Sequence, residues 1–238
     1  MLFNSYIFIF VFLPIAFFGY YLLGHNEKHG HFFSKSWLIL SSLIFYGYWN
    51  ISYLPIILSS IVVNFYISKE ILKTDKVKIK RILFYVGLIF NIGLLGYFKY
   101  KNFFLDNVIF LFNNHYHFEK IALPLGISFF TLQQIAYLVD AYEGLAKKVE
   151  FHKYALFVSF FPQLIAGPIV HYQNVMPQFE DKTKTKLIPD NISLGIFVFV
   201  IGLGKKVLLA DTFATWANDG FNDTEVFHFF HAWGTSLS

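Results

Sequence analysis

Chemistry in this chain must begin with the few ionisable side chains that stand inside apolar sequence. Asp140 closes one uncharged run, and Lys205 with Lys206 interrupts another. An ionisable group in hydrocarbon costs at least ~2.5 kcal/mol, so each needs a partner, a cavity or an interface. Two readings follow. Either Asp140 ends its helix at the headgroup level while the lysines snorkel, or the three line a polar tunnel or hold an anionic cofactor. His171 follows the breaker-rich string AGPIV, where it can face a water-filled cavity or lie at the interface. His228 and His231 are spaced i, i+3 and can share a helix face, which would offer a metal two of its four ligands. No Cys or completed His-Glu motif accompanies them, so no metal site is expected. His25, His29 and His31 belong to a short polar loop and read as solvated surface. The chain has no G-x-S-x-G, Walker loop, Rossmann fingerprint or H-E-x-x-H. With zero cysteines, disulfides, thiolate metal sites and a thiol nucleophile are excluded.

The elements that hold these residues are set by composition. Of 238 residues, 56% are hydrophobic, 21% aromatic and only 14% charged. A soluble domain carries about 25% charged residues and could not bury so much apolar surface in one core. The solvent is lipid. The net charge of +4 includes a single arginine, Arg81, which sets aside nucleic-acid binding. A basic excess on such a chain marks its cytoplasmic loops.

Residues 2–24 are uncharged and long enough for a first span, with none of the signs of a cleavable signal peptide. The uncharged stretch 36–68 exceeds one crossing and reads as two short helices, broken near Trp49, Asn50, Ser52 and Pro55. Residues 69–81 hold six basic residues against two acidic and read as a cytoplasmic loop. A hairpin at 36–68 puts the loop around Lys28 and Lys35 on that side and the N-terminus outside. A span over 82–98 ends in the border Lys99, Tyr100, Lys101, and 102–120 reads as an interfacial or re-entrant piece. Residues 121–139 form a span that stops at Asp140. From 154 to 179 there is no acidic or basic residue apart from His171, yet Pro162, Gly167 and Pro168 break the run. Such backbone must be buried in protein or line a cavity. A polar stretch, 178–191, and a last apolar run, 192–211, follow. The fold class expected is all-α, a polytopic transmembrane helical protein with short, broken and re-entrant helices.

Three strings, LPLGISFFTLQQIAYLVDAY (123–142), FVSFFPQLIAGPIVHY (157–172) and GLGKKVLLAD (202–211), resemble the membrane-bound O-acyltransferase family in order and spacing. The branch is similar to the bacterial alginate and peptidoglycan O-acetyltransferases. The opening MLFNSYIFIFVFLP, the block SSLIFYGYWNISYLP and LGYFKYKNFF (95–104) extend the resemblance over nearly the whole chain.

This resemblance implies an O-acetyltransferase of the bacterial inner membrane. It would move an acetyl group from cytoplasmic acetyl-CoA, a substrate and not a bound cofactor, to hydroxyls of an exported polysaccharide. A periplasmic or membrane-anchored acetyltransferase would be its partner. It also implies that the family's catalytic histidine, in a W-H-G block, lies beyond Ser238. Residues 1–238 then form a single integral-membrane domain, incomplete at its C-terminus and inactive alone, with no catalytic residue of its own. His171 stands where related sequences often carry a basic residue. In the matched blocks Ser128, Gln133 and Gln134 on one helix, Gln163 on the next segment and His171 are the candidates to line a substrate tunnel. Packing between helices is the equal alternative, because a buried amide in lipid requires hydrogen-bond partners. Without neighbouring helices, Asn64, Gln133 and Gln163 would face lipid unpaired. A multi-pass transporter would need repeat symmetry or paired mid-span charges, which are not seen; a non-catalytic scaffold for a periplasmic acetyltransferase is the third reading.

Overall fold

The computed structural model describes residues 1–25, 29–112, 121–146, 150–167, 170–181, 186–222 and 233–236. His228, His231, Pro168 and residues 113–120 lie outside them, and with them the i, i+3 histidine pair and half of the expected interfacial piece. Every regular element among the described residues is helical. Three helices are long and apolar enough to cross a bilayer, Ile51–Lys73, Val77–Asn107 and Pro189–Phe221, and Phe8–Gly24 is apolar but shorter. The protein is a multi-pass membrane protein.

The described residues form two compact units. The larger spans Ile15–Lys186 and contains most of α1 (Leu13–Gly24), then α2 (Gly30–Trp49) and α3 (Leu54–Lys73). The break between α2 and α3 falls where the sequence predicts it. Asn50 turns to extended backbone, its side chain accepts the Ser52 N–H at 2.9 Å, and Pro55 occupies the first turn of α3. Both helices outrun the uncharged stretch, to Gly30 at one end and Lys73 at the other. α1 is held to α2 by Trp37, whose indole N–H donates to the Ala16 carbonyl at 3.1 Å over the bare Cα of Gly19.

The basic segment 69–81 is not the loop expected. Lys69 and Lys73 remain in α3, only residues 74–76 turn, and α4 (Val77–Leu95) starts at once. Lysine is a good helix former, so the basic residues do not themselves end a helix, and the chain leaves the helix only at Thr74, Asp75 and Lys76. Nor does the Lys99–Lys101 border end its helix. α4 passes through a π-helical turn, Gly96–Tyr100, into α5 (Lys101–Phe112) as one continuous rod.

The span expected over 121–139 is shorter and shifted. α6 (Ile127–Glu143) starts and stops at left-handed glycines, Gly126 (φ 65) and Gly144 (φ 80). The breaker-rich stretch resolves into α7 (Phe151–Ser159), α8 (Phe161–Ala166) and α9 (Tyr172–Glu180), with Pro162 in the first turn of α8 and Gly167 extended at its end. The core of this unit is aromatic. Tyr154, Tyr137, Tyr172 and Phe157 pack in that order with successive ring centroids 5.0–5.4 Å apart, and Phe65 joins at 5.8 Å from Tyr154.

The second unit comprises Leu2–Pro14 and Leu187–Ser238. In it α10 (Pro189–Gly204) runs through a π-helical turn, Lys205–Ala210, into α11 (Asp211–Asn222), and most of its side chains are exposed, as lipid contact requires.

Candidate functional site

Five of the polar residues singled out from the sequence, Asn64, Gln133, Gln134, Asp140 and His171, fall at three places in the larger unit. At the first, the helical ladder breaks between α7 and α8. Pro162 and the turn at Phe160 leave the Phe157 carbonyl and the Phe161 N–H without their usual i to i+4 bond to each other. Gln133 of α6 donates its amide to the Phe157 carbonyl at 3.0 Å, and Ser42 of α2 accepts the Phe161 N–H at 3.2 Å. Two helices thus supply from outside what the break removed. The irregular backbone is paired by protein, as it must be wherever water is excluded.

The second place is a chain of buried side chains across four helices. The Tyr154 hydroxyl of α7 donates to the Gln134 carbonyl oxygen at 3.3 Å, and the Gln134 amide donates to the Ser60 hydroxyl of α3 at 2.9 Å. One turn on, Asn64 donates to the Ser60 carbonyl at 3.0 Å and exchanges hydrogen bonds with Asn91 of α4, at 3.2 and 2.6 Å. Asn91 also donates to the Gly87 carbonyl at 2.8 Å. Ser60, Asn64, Asn91 and Gln134 are fully buried. The sequence marked Gln133, Gln134 and Asn64 as needing partners; the Phe157 carbonyl, Ser60, Asn91 and Tyr154 are the partners it did not name.

At the third place Asp140, on the last turn of α6, meets His171, which begins α9. Asp140 Oδ2 and His171 Nδ1 are 3.0 Å apart. The carboxylate is 7% exposed and the imidazole 58% exposed. Asp140 therefore does not close its helix as a solvated headgroup residue. It is buried, and the imidazole covers it. In the tautomer where Nδ1–H donates, Nε2 is left facing outward, the arrangement in which a carboxylate orients a histidine. Ser128 and Gln163 are half-buried, and the Gln163 side chain lies against Gly167. The structure brings Gln133 and Gln134 together with their partners and Asp140 with His171, whereas Lys205 and Lys206 sit in the other unit.

Those lysines are exposed, and Lys206 is paired with Asp211 across the π-helical turn. Flanking the uncharged stretch, Lys153 binds Glu180 at 2.8 Å. That hydrogen bond holds the Glu180 carboxyl below its ordinary range, and the Lys153 ammonium above its own. Beside it the His152 ring stacks on Phe32 at 4.5 Å and lies 3.0 Å from the Ser36 hydroxyl. Burial first, and then the Lys35 charge, lower the pKa of His152. Among the described residues no group of three His, Asp or Glu side chains is placed to hold a metal.

The model of the membrane-bound O-acyltransferase family matches residues 119–233, the stretch that contains the α7–α8 break and the Asp140–His171 pair. The chain belongs to the membrane-bound O-acyltransferase family. It is 46% identical over 263 aligned residues to the peptidoglycan O-acetyltransferase of Helicobacter pylori, an alignment that covers 100% of this chain and 50% of that protein. It is 32% identical over 227 residues to the probable alginate O-acetylase of Pseudomonas aeruginosa, covering 93% of this chain and 42% of the relative. The corresponding protein of Pseudomonas syringae is 33% identical over the same shares. The chain spans about half the length of the curated relatives it matches. No solved structure matches it.

Proposed function

We propose that this chain is part of an O-acetyltransferase of the bacterial inner membrane that transfers acetyl groups from cytoplasmic acetyl-CoA to hydroxyls of an exported polysaccharide. The observation that carries the reading is the 46% identity, across the whole chain, to a protein named for peptidoglycan O-acetylation. Peptidoglycan is favoured over alginate as acceptor because the identity to the alginate relatives is lower, at 33% or below. In the reaction a sugar hydroxyl oxygen attacks the thioester carbonyl, the C–S bond breaks, and the hydroxyl proton passes through a base as free coenzyme A leaves. We place that base in the half of the relatives' length that this chain does not span. A periplasmic or membrane-anchored acetyltransferase completes delivery.

Within this proposal the residues of the chain have distinct parts. Ser128, Gln163 and His171, half-buried or exposed, line the path of the reactants. Gln133 and Gln134, with their amides engaged, hold the wall of that path through the Phe157 carbonyl and Ser60. The basic end of the α3–α4 hairpin is cytoplasmic by the bias of lysine and arginine.

The test is transfer of labelled acetyl from acetyl-CoA to peptidoglycan in membranes. Residues 1–238 are compared with a chimera that adds the second half of the Helicobacter pylori relative. Transfer by the chimera alone is the expected result. Transfer by the chain alone, lost in His171→Ala, would move the base to His171, and silence of both would sink the assignment.

A further inference from the structure

The densest run of basic residues in the larger unit forms no ion pair among the described residues. Lys69, Lys73, Lys76, Lys78, Lys80 and Arg81 fall within two helix ends joined by the turn at 74–76, with Glu70 and Asp75 the acidic residues between them. Not one of the six forms an ion pair among the described residues, and all but the partly covered Lys80 are exposed. Lys69 leans over the Phe65 and Tyr66 rings, 6.0 Å from each centroid, and Lys80 over Tyr142 at 5.7 Å.

Lys73 suits the negative end of the α3 dipole, but the cations that open α4 do not suit its positive end. α4 has no acidic residue in its first turn, and Lys76 at its N-cap provides no side-chain cap. Lys76 and Lys78 stand beside uncapped amides that already favour an anion, and Asp75 is the one acidic residue in the turn that offsets them. The surplus of positive charge there favours a negative group from outside.

We infer that this hairpin tip is a binding surface for the phosphate headgroups of anionic phospholipids. Position selects the lipid. α3 is 20 residues long, about 30 Å, so its basic end reaches the headgroup layer when the helix crosses the hydrocarbon. Clusters of four to eight basic residues next to a span bind anionic headgroups, and each contributes about a fivefold gain in affinity near such a surface. The inference does not depend on the acetyl-transfer reading.

The experiment is native mass spectrometry of the detergent-solubilised chain, titrated with phosphatidylglycerol or phosphatidylcholine of matched acyl chains. Phosphatidylglycerol is expected to bind at least tenfold more tightly, an advantage that shrinks as salt rises. The variant K73Q/K76Q/K78Q is expected to lose at least tenfold in phosphatidylglycerol affinity with phosphatidylcholine unchanged. Arginine at the same three positions is expected to preserve binding. The arginine variant and the wild-type salt dependence carry the test if the glutamine variant fails to fold or insert. Equal affinity for the two lipids, or no effect of salt, would overturn the inference. Displacement of phosphatidylglycerol by equimolar coenzyme A would overturn it as well, by assigning the surface to a soluble phosphate ligand.

Discussion

A carboxylate at the end of a helix faces the negative pole of the helix dipole, which disfavours it. Asp140 is in that position and buried besides, so His171 is what makes its placement tolerable. The sequence marked both residues as needing a partner or a cavity, but a separation of 31 residues hid that each answers the other. Lys153 and Glu180 are a second such pair, at the two edges of the uncharged stretch. Here the sign of the linkage is definite. The depressed Glu180 carboxyl contributes stability that is present above its unfolded pKa and lost as pH falls through its folded value. The raised Lys153 contributes below its unfolded pKa and loses it as pH rises through its folded value. Glu180 is half exposed, so Glu180→Gln should cost only ~0.2–1 kcal/mol at neutral pH. Thermal unfolding of wild type and variant should show that difference at pH 7 and its narrowing as the pH falls through the folded Glu180 value. A difference that does not narrow with falling pH would mean that the carboxylate charge is not its source.

Helix boundaries were legible where a local signal is decisive and illegible where polarity alone was the guide. Asn50 and Pro55 announce a break because one caps and the other lacks an N–H, and the hairpin appears there. The runs of lysine at 69–81 and 99–101 announce the membrane surface, which is a property of the solvent and does not stop a helix. The start of α6 was misplaced for a different reason. Its boundary is fixed by a tertiary approach, because a Cβ on Gly126 would stand 2.5 Å from the Leu164 carbonyl oxygen, on a backbone already in the left-handed region. Gly126→Ala should therefore destabilise by at least ~1–2 kcal/mol. Gly93→Ala, where nothing lies within 4 Å of the added methyl, should be neutral or stabilise by ~0.5–1 kcal/mol. Melting temperatures of the two variants in detergent decide this, and equal shifts would remove the special role of Gly126.

On the scale of the whole molecule, class and solvent follow from composition, because no other environment accepts so much exposed apolar surface. The buried hydrogen-bond chain does not follow, since its pairs join residues 27 and 74 apart on separate helices. That chain sets how α3, α4, α6 and α7 slide against one another. Asn91→Leu and Asn64→Leu should each cost ~1–2 kcal/mol by orphaning the other amide. The double variant should cost less than their sum by ~0.5–1.5 kcal/mol, near the range found for polar contacts within membranes. A double-mutant cycle on unfolding in detergent measures this, and strict additivity would contradict the pairing. The rod that begins at Val77 has its own consequence for the bilayer. Its 31 residues to Asn107 rise about 46 Å, against roughly 30 Å of hydrocarbon, and no ordinary tilt of up to about 40° absorbs the excess. Ile82 to Phe98 alone rises roughly 25 Å, enough for a slightly thinned membrane. The π-helical turn with Lys99 and Lys101 then lies at the membrane surface and α5 continues beyond it, so the two ends of one rod, residues 77–81 and α5, both stand outside the hydrocarbon.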